Sequence, residues 1–114
     1  MDRTAAPLPG QHLLLDFHEA RTLSLEEVEN CLKRAAKAAG ARVLQAMLHP
    51  FPGGGVTGVL LLAESHISIH TWPETGFVAL DIFLCGAADP EPARRVLEEA
   101  FAPARVTAQL VRRG

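Results

Sequence analysis

Hydrophobic and polar positions alternate along this chain with two different periods, and the switches between them mark out eight elements. His12-Leu13-Leu14-Leu15-Asp16-Phe17 reads as a strand. Ser24, with Glu27 three residues later, has the capping-box pattern of a helix start. Val28, Leu32, Ala35, Ala36 and Ala39 then recur at helical spacing until Gly40 closes the element. Arg42 to His49 reads as a strand, and the turn Pro50-Phe51-Pro52-Gly53-Gly54-Gly55 leads into another from Val56 to Ala63. A further strand, His66 to Thr71, ends at Trp72-Pro73-Glu74-Thr75-Gly76. Phe77 to Cys85 alternates throughout, with Val78, Leu80, Ile82 and Leu84 on one side and Phe77, Ala79, Asp81, Phe83 and Cys85 on the other. Pro90 to Ala102 is an amphipathic helix with Pro92 in its first turn, and Arg105 to Val111 is a closing strand.

The order βαββββαβ, with mostly short connections, predicts an α+β fold: a two-layer αβ sandwich with a mostly antiparallel sheet and two helices on one face. Residues 1–10, rich in Pro, Ala and Gly, read as a flexible N-terminal arm, and residues 11–114 as a single domain. One helical layer leaves the other sheet face uncovered and partly apolar. Such a face is ordinarily buried by a partner, so a symmetric homodimer is expected.

Composition narrows the classes. A chain of 114 residues with 48% hydrophobic and 21% charged residues suits one folded domain. A net charge of -2 and scattered Lys and Arg residues argue against nucleic acid, which selects clustered basic surfaces. No apolar run approaches the ~20 residues of a membrane helix. Met1-Asp2-Arg3-Thr4 leads into Pro and Gly, so no signal peptide is read. Cys31 and Cys85 lack metal or redox spacing, which points to a reducing cytoplasm.

Chemistry concentrates in Glu64-Ser65-His66-Ile67-Ser68-Ile69-His70-Thr71-Trp72-Pro73-Glu74, with Cys85-Gly86 one strand further on. His66 and His70 lie about 13 Å apart on an extended strand, too far to share one ion, so no metal site is expected. No Gly-x-Ser-x-Gly elbow surrounds Ser65, and Gly53-Gly54-Gly55 lacks the Lys-Ser/Thr of a phosphate loop. His66, Ser68 and His70 share one strand face. Beside Asp81 and Cys85 on a neighbouring strand they would form a titratable cluster in an apolar sheet, which is a candidate functional site.

The Ala63–Glu74 segment, with Asp81-Ile82-Phe83 and Cys85-Gly86, closely resembles the prokaryotic S-adenosylmethionine decarboxylase proenzyme family. The likeness extends to His12-Leu13-Leu14-Leu15-Asp16, His49-Pro50-Phe51 and Gly55-Val56-Thr57-Gly58. It implies a pyruvoyl-dependent enzyme that cuts itself between Glu64 and Ser65. Residues 1–64 would become a β chain and residues 65–114 an α chain, with a pyruvoyl cofactor made from Ser65. That ketone would form a Schiff base with substrate and take up the electrons left by departing CO2. The resemblance further implies that His70 is the acid/base of processing and that Cys85 is the proton donor. A thiol, ordinarily near pKa ~8.5, can give up a proton at neutral pH. Phe51 would stack on adenine, Glu74 would accept hydrogen bonds from ribose hydroxyls, and Thr57 stands where the family usually has serine. By simple alternation Ser65 and His70 point to opposite sides, so the strand must bend, or begin after Ser65, for the two to cooperate.

Two stretches depart from the family pattern. Pro73-Glu74-Thr75-Gly76-Phe77 lacks two tyrosines, and Phe83-Leu84-Cys85-Gly86 has leucine for threonine. Both are expected near the substrate pocket. S-adenosylmethionine is the expected substrate, for spermidine biosynthesis; the alternatives are ornithine or arginine decarboxylation by the same chemistry and a non-catalytic regulatory paralogue.

Overall fold

A computed structural model of the chain describes residues 10–114. The elements are β1 (Gly10–His18), α1 (Leu25–Ala38), β2 (Val43–Pro50), β3 (Val56–Leu62), β4 (Ser65–Trp72), β5 (Phe77–Cys85), α2 (Glu91–Phe101) and β6 (Arg105–Arg113). Their order is the one the periodicity predicts. Gly10, assigned to the arm by composition, is the first residue of β1 and pairs with Cys85 and Arg113. The rest of the expected arm, residues 1–9, lies outside the described residues.

The six strands form one sheet in the order β2-β3-β4-β5-β1-β6, antiparallel at every junction. The first strand is thus inserted between β5 and the last. Both helices cover one face, giving the expected α+β sandwich. Alternation decides which side chains meet them. Leu13, Leu15, Phe17, Leu60, Leu62, Ile67, Ile69, Val78, Leu80, Ile82 and Leu84 are all buried under the helices, which contribute Val28, Cys31, Leu32, Leu97 and Phe101. The rings of Phe17 and Phe101 pack 6.1 Å apart.

Both helix ends follow their local chemistry. At α1 the Ser24 hydroxyl accepts from the Glu27 N–H at 3.1 Å, and the Glu27 carboxylate accepts from the Ser24 N–H at 2.8 Å. This reciprocal pair satisfies two of the donors a helix start leaves open. Gly40, at φ 74, carries the chain away from the other end of α1.

Cross-strand partners share a face, so the register lays out the uncovered side in rows. One row runs Leu61, His66, Phe83, His12 and Val111. The next runs Met47, Val59, Ser68, Asp81, Leu14 and Gln109. A third runs His49, Thr57, His70, Ala79, Asp16 and Thr107. Leu14, Met47, Val59 and Leu61 on this face are each more than a third exposed. No helix among the described residues is long and apolar enough to cross a membrane.

Candidate active site

The turn joining β3 to β4 is as short as a hairpin allows, because Leu62 pairs directly with Ser65 and only Ala63 and Glu64 lie between them. Glu64 takes φ 64, a left-handed conformation that costs a side-chain-bearing residue on the order of 1 kcal/mol. The energetic strain therefore sits on the residue whose carbonyl precedes Ser65. At the end of the β4–β5 ladder the Ser65 hydroxyl replaces a backbone acceptor, taking the Cys85 N–H at 3.2 Å. The Cys85 thiol in turn donates to Glu64 Oε1 at 3.3 Å. Glu64, Ser65 and Cys85 thus form one compact group at one end of the sheet.

His70 lies elsewhere. It is exposed on the uncovered face, its Nδ1 hydrogen-bonded to Thr57 Oγ1 at 3.1 Å. That contact fixes the orientation of the imidazole and accounts for a hydroxyl at position 57. Phe51, Thr57, His70, Trp72 and Glu74 line a pocket of about 310 Å³. The Pro50–Gly55 turn shapes its wall: the Phe51 N–H donates to the Gly55 carbonyl at 2.8 Å, and a Cβ at Gly55 would sit 3.1 Å from the Thr71 carbonyl. The Phe51 ring, half exposed, meets His49 edge-on at 4.8 Å.

Neither a bend nor a late start brings Ser65 and His70 together. β4 begins at Ser65 and pairs with both neighbours without a register shift. Five residues of extended strand separate the two by about 17 Å. Cys85 and Ala79, the residue opposite His70, are six residues apart on β5, or about 20 Å. The sequence-derived candidates therefore divide into two groups within one chain, Glu64-Ser65-Cys85 and Phe51-Thr57-His70-Glu74.

The departures from the family pattern also separate. Leu84 is 1% exposed and faces the helices, so it belongs to the core and not to a pocket wall. Phe77 stacks at 5.3 Å on Trp72, one of the residues lining the pocket. Thr75 bonds within its own turn, to the Trp72 carbonyl.

Between the two groups lies a cluster that sequence reasoning anticipated only in part. Asp81 Oδ2 accepts from His66 Nε2 at 2.9 Å and from His12 Nε2 at 2.5 Å, while Oδ1 accepts from Ser68. Arg113 Nη1 donates to His12 Nδ1 at 3.3 Å, which leaves the His12 proton on Nε2, facing the carboxylate. Burial pushes the Asp81 carboxyl up, but the hydrogen bonds from Ser68, His12 and His66, with the charge of His66, outweigh it. The group is held below the ordinary carboxylate range. His12 went unassigned from sequence because its partners come from β4, β5 and β6; its one local signal is a polar ring alternating with Leu13 and Leu15.

His12, His66 and Asp81 offer ligand atoms within 4.8 Å of one another, the spacing of a metal set. The contacts of the two imidazoles with Asp81 are those of hydrogen bonds. Two ligands each about 2 Å from a tetrahedral ion stand roughly 3.3 Å apart, and an Nδ1 that accepts from arginine leaves Nε2 without the lone pair a metal needs.

Comparison with known proteins agrees across nearly the whole chain. The model of the S-adenosylmethionine decarboxylase family matches residues 11–114. The S-adenosylmethionine decarboxylase proenzyme of Prochlorococcus marinus (strain MIT 9211) is 41% identical over 108 residues, 91% of this chain and 88% of that protein. The proenzyme of Thermomicrobium roseum is 40% identical over 108 residues, 92% of this chain and 93% of that one. The crystal structure of the adenosylmethionine decarboxylase from Aquifex aeolicus VF5 superposes with a TM-score of 0.87 at 33% identity, covering 96% of this chain and 93% of that chain.

Proposed function

The chain belongs to the S-adenosylmethionine decarboxylase family, and from that premise we propose that it cuts itself between Glu64 and Ser65 and releases CO2 from S-adenosylmethionine. The product is the decarboxylated aminopropyl donor used for spermidine. The observation that carries this reading is the strained turn: Glu64 at φ 64, with the Ser65 hydroxyl fixed beside it and the Cys85 thiol on the Glu64 carboxylate.

The chemistry follows from those atoms. Ser65 Oγ attacks the Glu64 carbonyl carbon; the C–N bond breaks, and the hydroxyl proton passes to the freed amine, leaving an ester. Removal of the Ser65 Cα proton breaks the Cβ–Oγ bond, expels the new C-terminal main-chain carboxylate of Glu64, which keeps Oγ, and leaves a dehydroalanine. Water converts its imine tautomer to a ketone and releases ammonia. Breaking the Glu64–Ser65 link relieves the left-handed conformation of Glu64. When present, the pyruvoyl group supplies the electron sink for decarboxylation, which no natural side chain provides. Cys85 lies at the same turn, where its thiol can deliver a proton to the decarboxylated carbon.

His70 is the acid/base for processing, oriented by Thr57. Because it stands about 17 Å from Ser65 along its own strand, it serves the Ser65 of a second copy. In a homodimer with sheets face to face, a two-fold axis along the Ser68–Asp81 row lays the Ser65 end of one sheet over the His70 end of the other. The exposed Leu14, Met47, Val59 and Leu61 of that face would be buried there. Each site then takes Glu64, Ser65 and Cys85 from one protomer and Phe51, Thr57, His70 and Glu74 from its partner. Phe51 stacks on the adenine and Glu74 accepts from the ribose hydroxyls, the two features that select this substrate over a simple amino acid. The cysteines suit a reducing cytoplasm, Cys31 being shut in the core and Cys85 held at the turn.

Release of labelled CO2 from S-adenosylmethionine, ornithine and arginine tests the substrate. Release from the first supports the assignment. Release from either amino acid alone would replace the substrate and keep the mechanism, and Ser65→Ala should abolish cleavage and release together.

A further inference from the structure

The His12–Asp81–His66 cluster lies between the two halves of the proposed site and holds the residue next to the reactive one. His66 follows Ser65 in β4. Its Nε2–H is fixed on Asp81 Oδ2, its ring lies on Phe83 at 5.8 Å with planes 28° apart, and the His12 ring meets it edge-on at 5.8 Å. Asp81 is itself held by Ser68 and His12, and His12 by Arg113, whose guanidinium also lies 5.9 Å above Phe83. Four strands thus converge on one imidazole.

Cleavage changes what fixes residue 65. In the intact chain it is held by the peptide bond to Glu64, by its pairing with Leu62, and by the bond from the Cys85 N–H to its hydroxyl. Cutting the chain removes the first. Conversion of serine to a ketone removes the third, since Oγ leaves with Glu64. What remains is the ladder at a fraying strand end, without the residue-65 N–H that leaves as ammonia, and the side chain of His66.

We infer that Asp81, with His12, is a positioning group that acts through His66 to keep residue 65 in place for turnover once the chain has been cut. The inference rests on the proposed self-cleavage. It assigns a use to a network that processing itself does not need, because the uncut chain is already tied on both sides. The clamp should therefore matter more to turnover than to cleavage.

The test compares His66→Ala, His66→Gln and Asp81→Ala with the wild-type chain, using intact mass for cleavage, kcat and KM for turnover, and amide hydrogen exchange over residues 65–70. His66→Ala and Asp81→Ala should still be cut. Their kcat should fall by roughly ten- to a hundredfold, the loss expected for a misplaced reacting group, while KM changes by less than about threefold. His66→Gln, whose amide N–H can still donate to Asp81, should recover most of that loss. Exchange over 65–70 should accelerate in cut His66→Ala but not in an uncut Ser65→Ala/His66→Ala chain. If His66→Ala fails to be cut, His12→Ala, which removes one donor and leaves His66 in place, should show a smaller drop in kcat. Cut variants with wild-type kcat, glutamine no better than alanine, or equal acceleration in cut and uncut chains would each overturn the clamp. An uncut wild-type protein would instead remove the self-cleavage reading, and the clamp with it.

Discussion

Co-expression of Ser65→Ala with His70→Ala separates a composite site from one contained in a single chain. On the unbroken strand β4 the two residues are five positions apart, about 17 Å at 3.3 Å per residue, whereas proton transfer needs roughly 3 Å or one bridging water. No rotamer closes that gap, so each single variant should be inert alone. With random pairing about half the dimers are mixed, and each mixed dimer has one site with both Ser65 and His70 and one with neither. About a quarter of all sites should then be complete, giving about a quarter of wild-type decarboxylation. The fragments carry a sharper signature. Only the His70→Ala chain retains Ser65, so only that chain should be cut, and about half of it. Tagging the two chains differently and weighing the denatured products reads this directly. Cleavage of the His70→Ala chain expressed alone, or no cleavage in the mixture, would refute the shared site.

Thr57→Ala should slow processing about fivefold through loss of one orienting hydrogen bond to His70, with Thr57→Ser close to wild type; a time course of fragment appearance checks it. Iodoacetamide should label Cys85 and spare Cys31, whose thiol is buried and pushed up to about 11, as peptide mapping of the folded protein would show. Asp81 adds a pH dependence. Its carboxyl is held below the unfolded value near 3.9, so the stability it contributes is fully present above that pH and is lost as pH falls through the folded value. The Tm advantage of wild type over Asp81→Asn should accordingly hold steady above about pH 5 and shrink as pH falls below about 4, and a difference that stays constant on acidification would count against the assignment.

Much of this architecture is legible in the sequence because it is written in local terms. The β5 alternation names the buried face residue by residue, and Ser24 with Glu27 marks the start of α1 to the position. Less legible is anything that depends on which strands become neighbours. β1 could have lain at an edge; its insertion between β5 and β6 brings His12 to Asp81, and that juxtaposition has no sequence spacing to reveal it. Alternation correctly flagged Ser65 and His70 as a poor pair, but a single chain offers only a bend as the remedy, whereas the register allows none. Leu84 illustrates the opposite error. Adjacency to Cys85 suggests a pocket residue, yet neighbours on a strand face opposite ways, and Leu84 lies in the core.

The denatured intact mass of the purified wild-type protein tests self-cleavage between Glu64 and Ser65 without any variant. Two chains are expected, one ending at Glu64 and one beginning at residue 65, the second lighter by one ammonia than a serine-ended fragment and therefore carrying the pyruvoyl group. A single full-length mass, or a second chain that begins with unmodified serine, would contradict the account.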